Sequence, residues 1–308
     1  MTDRAVGLIP RAMSDQRTFD DRDGSIWFDG RLVPWREANV HVLTHALHYA
    51  SSVFEGQRAY RGEIFKLTEH SERLRKSGAL LDFEIPWSVE EIDAACRETL
   101  AASGLADAYM RPLAWRGSEQ MGVSGQRTKI HLAIACWAWD NYFKEDSVRR
   151  GLRFDISPWR RPAPYTAPTE SKASGLYMIC TLARHSAQAK GYDDALMFDW
   201  RGRVAEATGA NAFFVRDGAL HTPTPDCFLD GITRQTVIDL ARRRGIEVVE
   251  RAIWPEELES FEQMFITGTA VEVAPVASAG PWSFEVGDLT LQLRSDYLDL
   301  VNRRLANS

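Results

Sequence analysis

The 308-residue chain carries 37 basic and 43 acidic side chains, a net charge of −6, with 44% hydrophobic and 26% charged residues. That balance describes a globular protein able to bury a large core, in one large domain or two ordinary ones. The acidic excess excludes a general nucleic-acid binder, and the longest apolar run, Leu132 to Trp139, is far too short for a membrane span.

Residues 1 to about 22 are polar, rich in Asp and Arg and without pattern, so a surface or disordered extension is expected there, with no apolar stretch of the length a secretory signal needs. Ile26–Val33 reads as a hairpin around Asp29-Gly30. Ala38 to Tyr49 leads into S-V-F-E-G, and Ala59–Leu67 is a second hairpin. Thr68 is expected to cap a helix with Leu74, Ala79 and Leu80 on one face. Ser88 to Leu100 is an amphipathic helix with a Ser88/Glu91 capping box. The segments 108–115 and 129–139 read as strands, which makes 23–139 a small unit of mixed helix and strand.

The polar stretch 140–151 is expected to link that unit to a larger one over 152–308. There, strands at 152–157, 195–199, 212–216, 219–221, 247–253 and 263–267 alternate with helices at 175–190 and 234–244, and a last helix runs from Leu291 to Leu305. The whole is an α+β or α/β protein. Cys96, Cys136, Cys180 and Cys227 are widely spaced with no C-x-x-C pair, so reduced thiols and a cytoplasmic location are expected.

Three motifs stand out by their order. Lys172 lies in P-T-E-S-K-A-S-G-L-Y at a loop–helix junction; Glu206 follows in V-A-E-A-T-G-A-N; Gly231-Ile232-Thr233 then opens a helix that stops at Gly245. A lysine amine can form a Schiff base with an aldehyde. A carboxylate can keep a pyridine nitrogen protonated. A helix N-terminus presents unpaired N–H groups to an anion. Each piece alone also suits a plainer role: a solvated lysine, or an ordinary threonine cap. The basic pairs and runs at 160–161 and 242–244 read as solvated faces.

Together with V-H-V-L-T-H-A-L-H-Y, E-H-S-E-R-L, A-Y-M-R-P-L, Q-M-G-V and I-T-G-T-A-V-E-V-A-P-V, these blocks resemble the fold-type IV pyridoxal phosphate enzymes, and most closely the branched-chain amino acid aminotransferases, from about Ile26 to Val276. The resemblance implies a small N-terminal α/β domain and a larger C-terminal domain with pyridoxal 5'-phosphate between them. It implies that Lys172 is catalytic, that Arg73, Ile232, Thr233 and Thr269 serve the cofactor phosphate, and that Tyr177 and Glu206 serve its ring. It implies that Tyr49, Phe54, Gly56, Arg58, Tyr109, Arg111, Val123, Tyr142, Thr269 and Ala270 form the substrate site. Within that site Arg111 meets the glutamate side chain, Thr269-Ala270 receives the α-carboxylate, and Val123 reaches a neighbouring subunit. The implied reaction moves amino groups between L-leucine, L-isoleucine or L-valine and 2-oxoglutarate, forming L-glutamate, in an assembly of at least two subunits.

Relatives of the same fold, the D-amino acid and R-amine transaminases and aminodeoxychorismate lyase, are the alternatives. The Y-M-R-P element with Tyr49 and Tyr142 favours the branched-chain type. One departure is Ala210, where the family's pattern has a second acid, and its expected effect is on packing. His41, His45 and His48, spaced i, i+4 and i+7, raise a metal-binding alternative; the resembled family carries the same spacing without a metal.

Overall fold

The computed structural model describes residues 18–139 and 142–303. The first part of the expected extension, 1–17, lies outside the described residues, as do 140–141 of the expected linker and Leu305 of the last helix. The first half runs β1 (Ser25–Phe28), β2 (Arg31–Pro34), α1 (His45–Tyr49), β3 (Ser52–Phe54), β4 (Gln57–Tyr60), β5 (Glu63–Ile64), α2 (Leu67–Leu80), α3 (Val89–Ser103), β6 (Ala108–Arg116) and β7 (Ile130–Ala138). The second half runs α4 (Glu145–Arg150), β8 (Leu152–Ile156), α5 (Met178–Ala189), β9 (Asp194–Phe198), β10 (Val204–Ala207), β11 (Asn211–Arg216), β12 (Ala219–Pro223), α6 (Ile232–Arg243), β13 (Val248–Arg251), β14 (Gln263–Gly268), β15 (Glu272–Ala279), β16 (Trp282–Ser283) and α7 (Asp288–Arg303).

The strands divide into two sheets. Seven form an antiparallel sheet ordered β2-β1-β7-β6-β4-β5, with β3 also paired to β6. Helices α2 and α3 cover one face of it, burying Leu74, Ile92, Ala95, Met110, Leu132 and Ile134. The Ser88/Glu91 box starts α3 as expected, with Glu91 N–H donating to Ser88 Oγ at 3.2 Å and Ser88 N–H to Glu91 Oε2 at 2.7 Å. Thr68 does not cap α2. Lys66 precedes the helix in a left-handed conformation, and the Thr68 hydroxyl, inside the first turn, donates instead to Asp93 of α3 at 2.7 Å. Tertiary pairing between the helices took the hydroxyl that local propensity assigns to the cap.

The other nine strands are ordered β10-β9-β8-β15-β14-β11-β12-β13, with β16 on β15, and β10 also pairs β11. That pairing closes six of them into a barrel filled by Phe154, Leu196, Val204, Phe214, Ile266 and Val276. Outside it, α6 and α7 pack Val237, Ile238, Leu293 and Tyr297 on Phe213 and Phe265, a cross-strand pair stacked at 5.0 Å. Such a pair adds about 1 kcal/mol to the area it buries. Part of the expected linker is helical, as α4. No helix among the described residues is long and apolar enough to cross a membrane, and all four cysteines are free and buried.

Candidate active site

The two sheets meet at Lys172. The lysine precedes a short 3-10 turn, Ser174–Tyr177, that runs into α5. Its backbone is held from the first half of the chain: Phe54 N–H donates to the Lys172 carbonyl at 3.1 Å, and Lys172 N–H to Ser77 Oγ at 3.0 Å. The side chain is thereby aimed into a cleft of about 720 Å³, mouth included. Lys172 Nζ donates to Tyr177 Oη at 2.9 Å and lies 5.0 Å from the Phe54 ring centre. Burial, reinforced by the Arg73 charge, pushes the amine down to about 8, so that a sizeable fraction is neutral near neutral pH.

Glu206 stands on β10 at the same cleft. Burial pushes its carboxyl up to about 7, against the opposing pull of Arg161 and Lys172. Arg161 Nε sits 3.3 Å from Glu206 Oε1 but is not aligned as a hydrogen bond. The Arg161 side chain is 4% exposed, so its reading as a solvated charge is corrected: it is a buried counter-ion, also donating to Cys180 Sγ at 3.4 Å. Asn211, across the strand pair from Glu206, donates to Glu206 Oε2 at 3.3 Å and to the Leu229 carbonyl at 2.9 Å.

Arg73 and the start of α6 line the same cleft. Arg73 donates through Nε and Nη2 to the two oxygens of Glu55, at 2.7 and 2.8 Å. Glu55 is fully buried and also accepts from His70 Nδ1 at 2.6 Å. Burial would raise the Glu55 carboxyl, but the Arg73 charge and the hydrogen bonds from Arg73 and His70 together outweigh it and hold the group ionised; burial pushes the His70 imidazole down. No side chain caps α6 at Gly231, so its first N–H groups face the cleft unpaired by a cap. A side chain at Gly231 would collide with Asn211 Oδ1, so only glycine lets the helix start approach so closely. Ile232, Thr233, Thr269 and the buried, partnerless Thr267 Oγ1 also line the cleft. An arginine beside an uncapped helix start suits a phosphate.

The expected substrate residues fall into three places. Gly56, Tyr109, Thr269 and Ala270 line the cleft. Phe54 and Arg111 stand beside it, the Arg111 guanidinium 4.7 Å from the Phe54 ring centre and donating to Tyr109 Oη at 3.3 Å. Arg58 and Tyr142 line an adjoining cavity of about 350 Å³ that shares Ala270 with the cleft. Tyr49 and Val123 do not line this chain's cleft; Val123 is 85% exposed. Ala210 packs among the apolar residues of the barrel and also lines the cleft.

The three histidines do not converge. His45 is bonded to Ser51 Oγ and the Gly122 carbonyl, His48 to the Val42 carbonyl, and His41 Nδ1 accepts from Leu43 N–H. Among the described residues the one grouping of three metal-type ligands is Asp199, Asp226 and Cys227, and Arg201 ties both carboxylates.

An amine, an acid and an anion-binding helix start around one ring-sized cleft define a pyridoxal phosphate enzyme. Residues 52–279 match the family described as amino-transferase class IV. The branched-chain-amino-acid aminotransferase of Pseudomonas aeruginosa is 40% identical over 289 residues, covering 92% of this chain and 94% of that protein. A solved T.th. branched-chain amino acid aminotransferase with pyridoxamine 5'-phosphate superposes with a TM-score of 0.88 at 39% identity, over 92% of this chain and 95% of that one. The branched-chain aminotransferase of Thermoproteus uzoniensis with norvaline gives 0.88 at 36%, over 92% and 96%. The chain belongs to the class IV amino-transferases, and within them to the branched-chain-amino-acid aminotransferases.

Proposed function

We propose that this enzyme transfers the amino group reversibly between L-leucine, L-isoleucine or L-valine and 2-oxoglutarate, the two substrates using one cleft in turn. When bound, pyridoxal phosphate supplies the electron sink that stabilises negative charge on the substrate α-carbon. In this reading Arg73, Ile232, Thr233 and Thr269 hold the phosphate. Glu206, backed by Arg161 and Asn211, keeps a proton on the ring nitrogen, and Tyr177 Oη holds the ring oxygen. Lys172 would hold the cofactor through its aldehyde, and its amine would move a proton at the substrate α-carbon; an amine near 8 is matched to that work. Thr269 and Ala270 receive the α-carboxylate through their N–H groups. Phe54, Tyr109, Arg58 and Tyr142 surround the side chain, and Arg111 answers the second carboxylate of glutamate.

The observation that carries this reading is the convergence of Lys172, Tyr177, Glu206 and Arg73 on one cleft. We assign the small domain to 23–139, the linker to 140–151 and the large domain to 152–308, in keeping with the division between the two sheets. A homodimer at least, located in the cytoplasm, is part of the proposal. Val42, Leu43, Leu47, Tyr49 and Val123 are exposed apolar groups on this chain, and a second copy would cover them, bringing Tyr49 and Val123 toward a cleft other than their own. The test is an absorbance spectrum of the purified protein with and without L-leucine. A visible band that shifts on addition of the amino acid is expected; a spectrum unmoved by L-leucine but moved by D-amino acids would overturn the assignment.

A further inference from the structure

The turn at residues 269–271 joins β14 to β15, whose last ladder pair is Gly268 with Glu272. Glu272 has φ +57, a left-handed backbone that disfavours any residue with a Cβ and at a hairpin end ordinarily calls for glycine. Its side chain shows what holds it there. Glu272 Oε1 accepts from Tyr60 Oη at 2.8 Å and lies 3.5 Å from Arg58 Nη1. Both partners come from β4 in the other sheet, two residues apart and so on one face. Tyr60 and Arg58 are buried, and the Arg58 guanidinium lies 4.7 Å from the Tyr60 ring centre. Burial, with Tyr297 and Glu272 nearby, keeps the Tyr60 hydroxyl protonated and therefore a donor. The strand that supplies this grip begins one residue after Gly56, which lines the cleft together with Thr269 and Ala270. Behind the turn, Arg294 Nη1 donates to the Val273 carbonyl at 3.0 Å.

We propose that Glu272 is a positioning residue: gripped by Tyr60 and Arg58, its carboxylate fixes the 269–271 turn against β4, and so sets the affinity of the cleft for a carboxylate ligand. The proposal rests on the reading that Thr269 and Ala270 receive the substrate carboxylate. It assigns to a residue outside the cleft the job of keeping two N–H groups at the right reach, which a loosely tethered turn would lose to its own flexibility.

The test titrates the holoenzyme, by its absorbance change, with 4-methylvalerate and with its neutral counterpart 4-methylpentan-1-ol, in the parent and in Glu272→Gly, Glu272→Gln and Tyr60→Phe. Glycine relieves the left-handed backbone, so Glu272→Gly is expected to fold; its affinity for the acid should fall about tenfold while that for the alcohol stays within about twofold, as for loss of one good hydrogen-bonded anchor. Glu272→Gln keeps an acceptor for Tyr60, and Tyr60→Phe leaves the turn itself untouched; each should lose about threefold for the acid. If the parent prefers the acid and all three variants retain that preference in full, the latch is wrong and the carboxylate turn stands. If the parent binds acid and alcohol alike, the turn does not receive a carboxylate, and the proposal goes with that reading. Equal losses for both ligands would reduce Glu272 to a structural residue and overturn the positioning role.

Discussion

Glu55 grips Arg73 from behind. Two hydrogen bonds, 2.7 and 2.8 Å, engage Nε and Nη2 and leave Nη1 outside the pair. A planar, bidentate contact fixes the plane of a guanidinium as no single bond would. Arg73 therefore comes to the cleft pre-aimed, with its rotamer settled before any ligand arrives. His70 holds the same carboxylate through Oε2.

Glu55→Gln removes the charge that holds this arrangement and puts an amide N–H₂ against the arginine. Loss of one charged, buried partner costs about 1–3 kcal/mol in this geometry. Retention of pyridoxal phosphate should weaken by about one to two powers of ten, read as the cofactor concentration needed to restore the visible band after dialysis. Unchanged retention would show that Arg73 needs no such support.

Lys172→Ala should abolish transamination, because among the described residues no other amine lines the cleft to serve both the aldehyde and the α-carbon proton. The fold should survive, since the backbone contacts of residue 172 with Phe54 and Ser77 do not involve the side chain. Transamination rates together with a cooperative melting curve check both halves; near-parental turnover would remove Lys172 from the chemistry.

Glu206→Gln should slow turnover sharply with cofactor still bound, and it should also change how the cofactor-free protein responds to pH. The folded carboxyl binds its proton more tightly than the unfolded chain does, at about 7 against 4.5. Its stabilisation is complete below about 4.5 and lost as pH rises through 7, a difference of about 3 kcal/mol. Gln cannot titrate. The melting temperature of the variant relative to the parent should therefore climb between pH 5 and pH 7.5. A pH-independent difference would mean that Glu206 is ionised throughout.

Arg111→Met should separate the two half-reactions. Among the described residues no carboxylate pairs with Arg111, which is held by Tyr109 and the Phe54 face. L-Glutamate would lose the partner of its second carboxylate, at about 3–5 kcal/mol, and single-turnover rates should fall roughly two to three powers of ten. Rates with L-leucine should stay within a small factor. Equal losses on both substrates would assign Arg111 to the fold.

What the sequence makes legible here is what local pattern encodes. The Asp29-Gly30 hairpin, the Ser88/Glu91 cap, the two long strands of the first sheet and the loop–helix setting of Lys172 all appear as read. Of the four strands not read from the sequence, β3, β10, β15 and β16, two were hidden for clear physical reasons. β10, which carries Glu206, is four residues long with a bulge against β9. β15 contains Pro275, which argues locally against a strand although it pairs there with Phe265. Buried charge was equally hard to see. Arg161 follows another arginine and reads as surface, while Glu55 sits between Phe54 and Gly56 with nothing in its neighbours to show that Arg73 and His70 would close on it. The charged partners of both are residues distant in the chain. The spacing of the three histidines suggested a shared helical face, but only His45 and His48 lie on a helix, five residues long.

The anchoring of Lys172 has one more consequence. Its amine is hydrogen-bonded to Tyr177 of the second half of the chain, yet its backbone is bonded to Phe54 and Ser77 of the first, and an isolated bridge between Val53 and Ala173 continues the seam. The enzyme is thus suited to fragment complementation. A chain divided between its two sheets would give two pieces, each with its own apolar core, and neither would hold the lysine in place. Recovery of the visible band on mixing would report reassociation directly, with the active site serving as its own sensor.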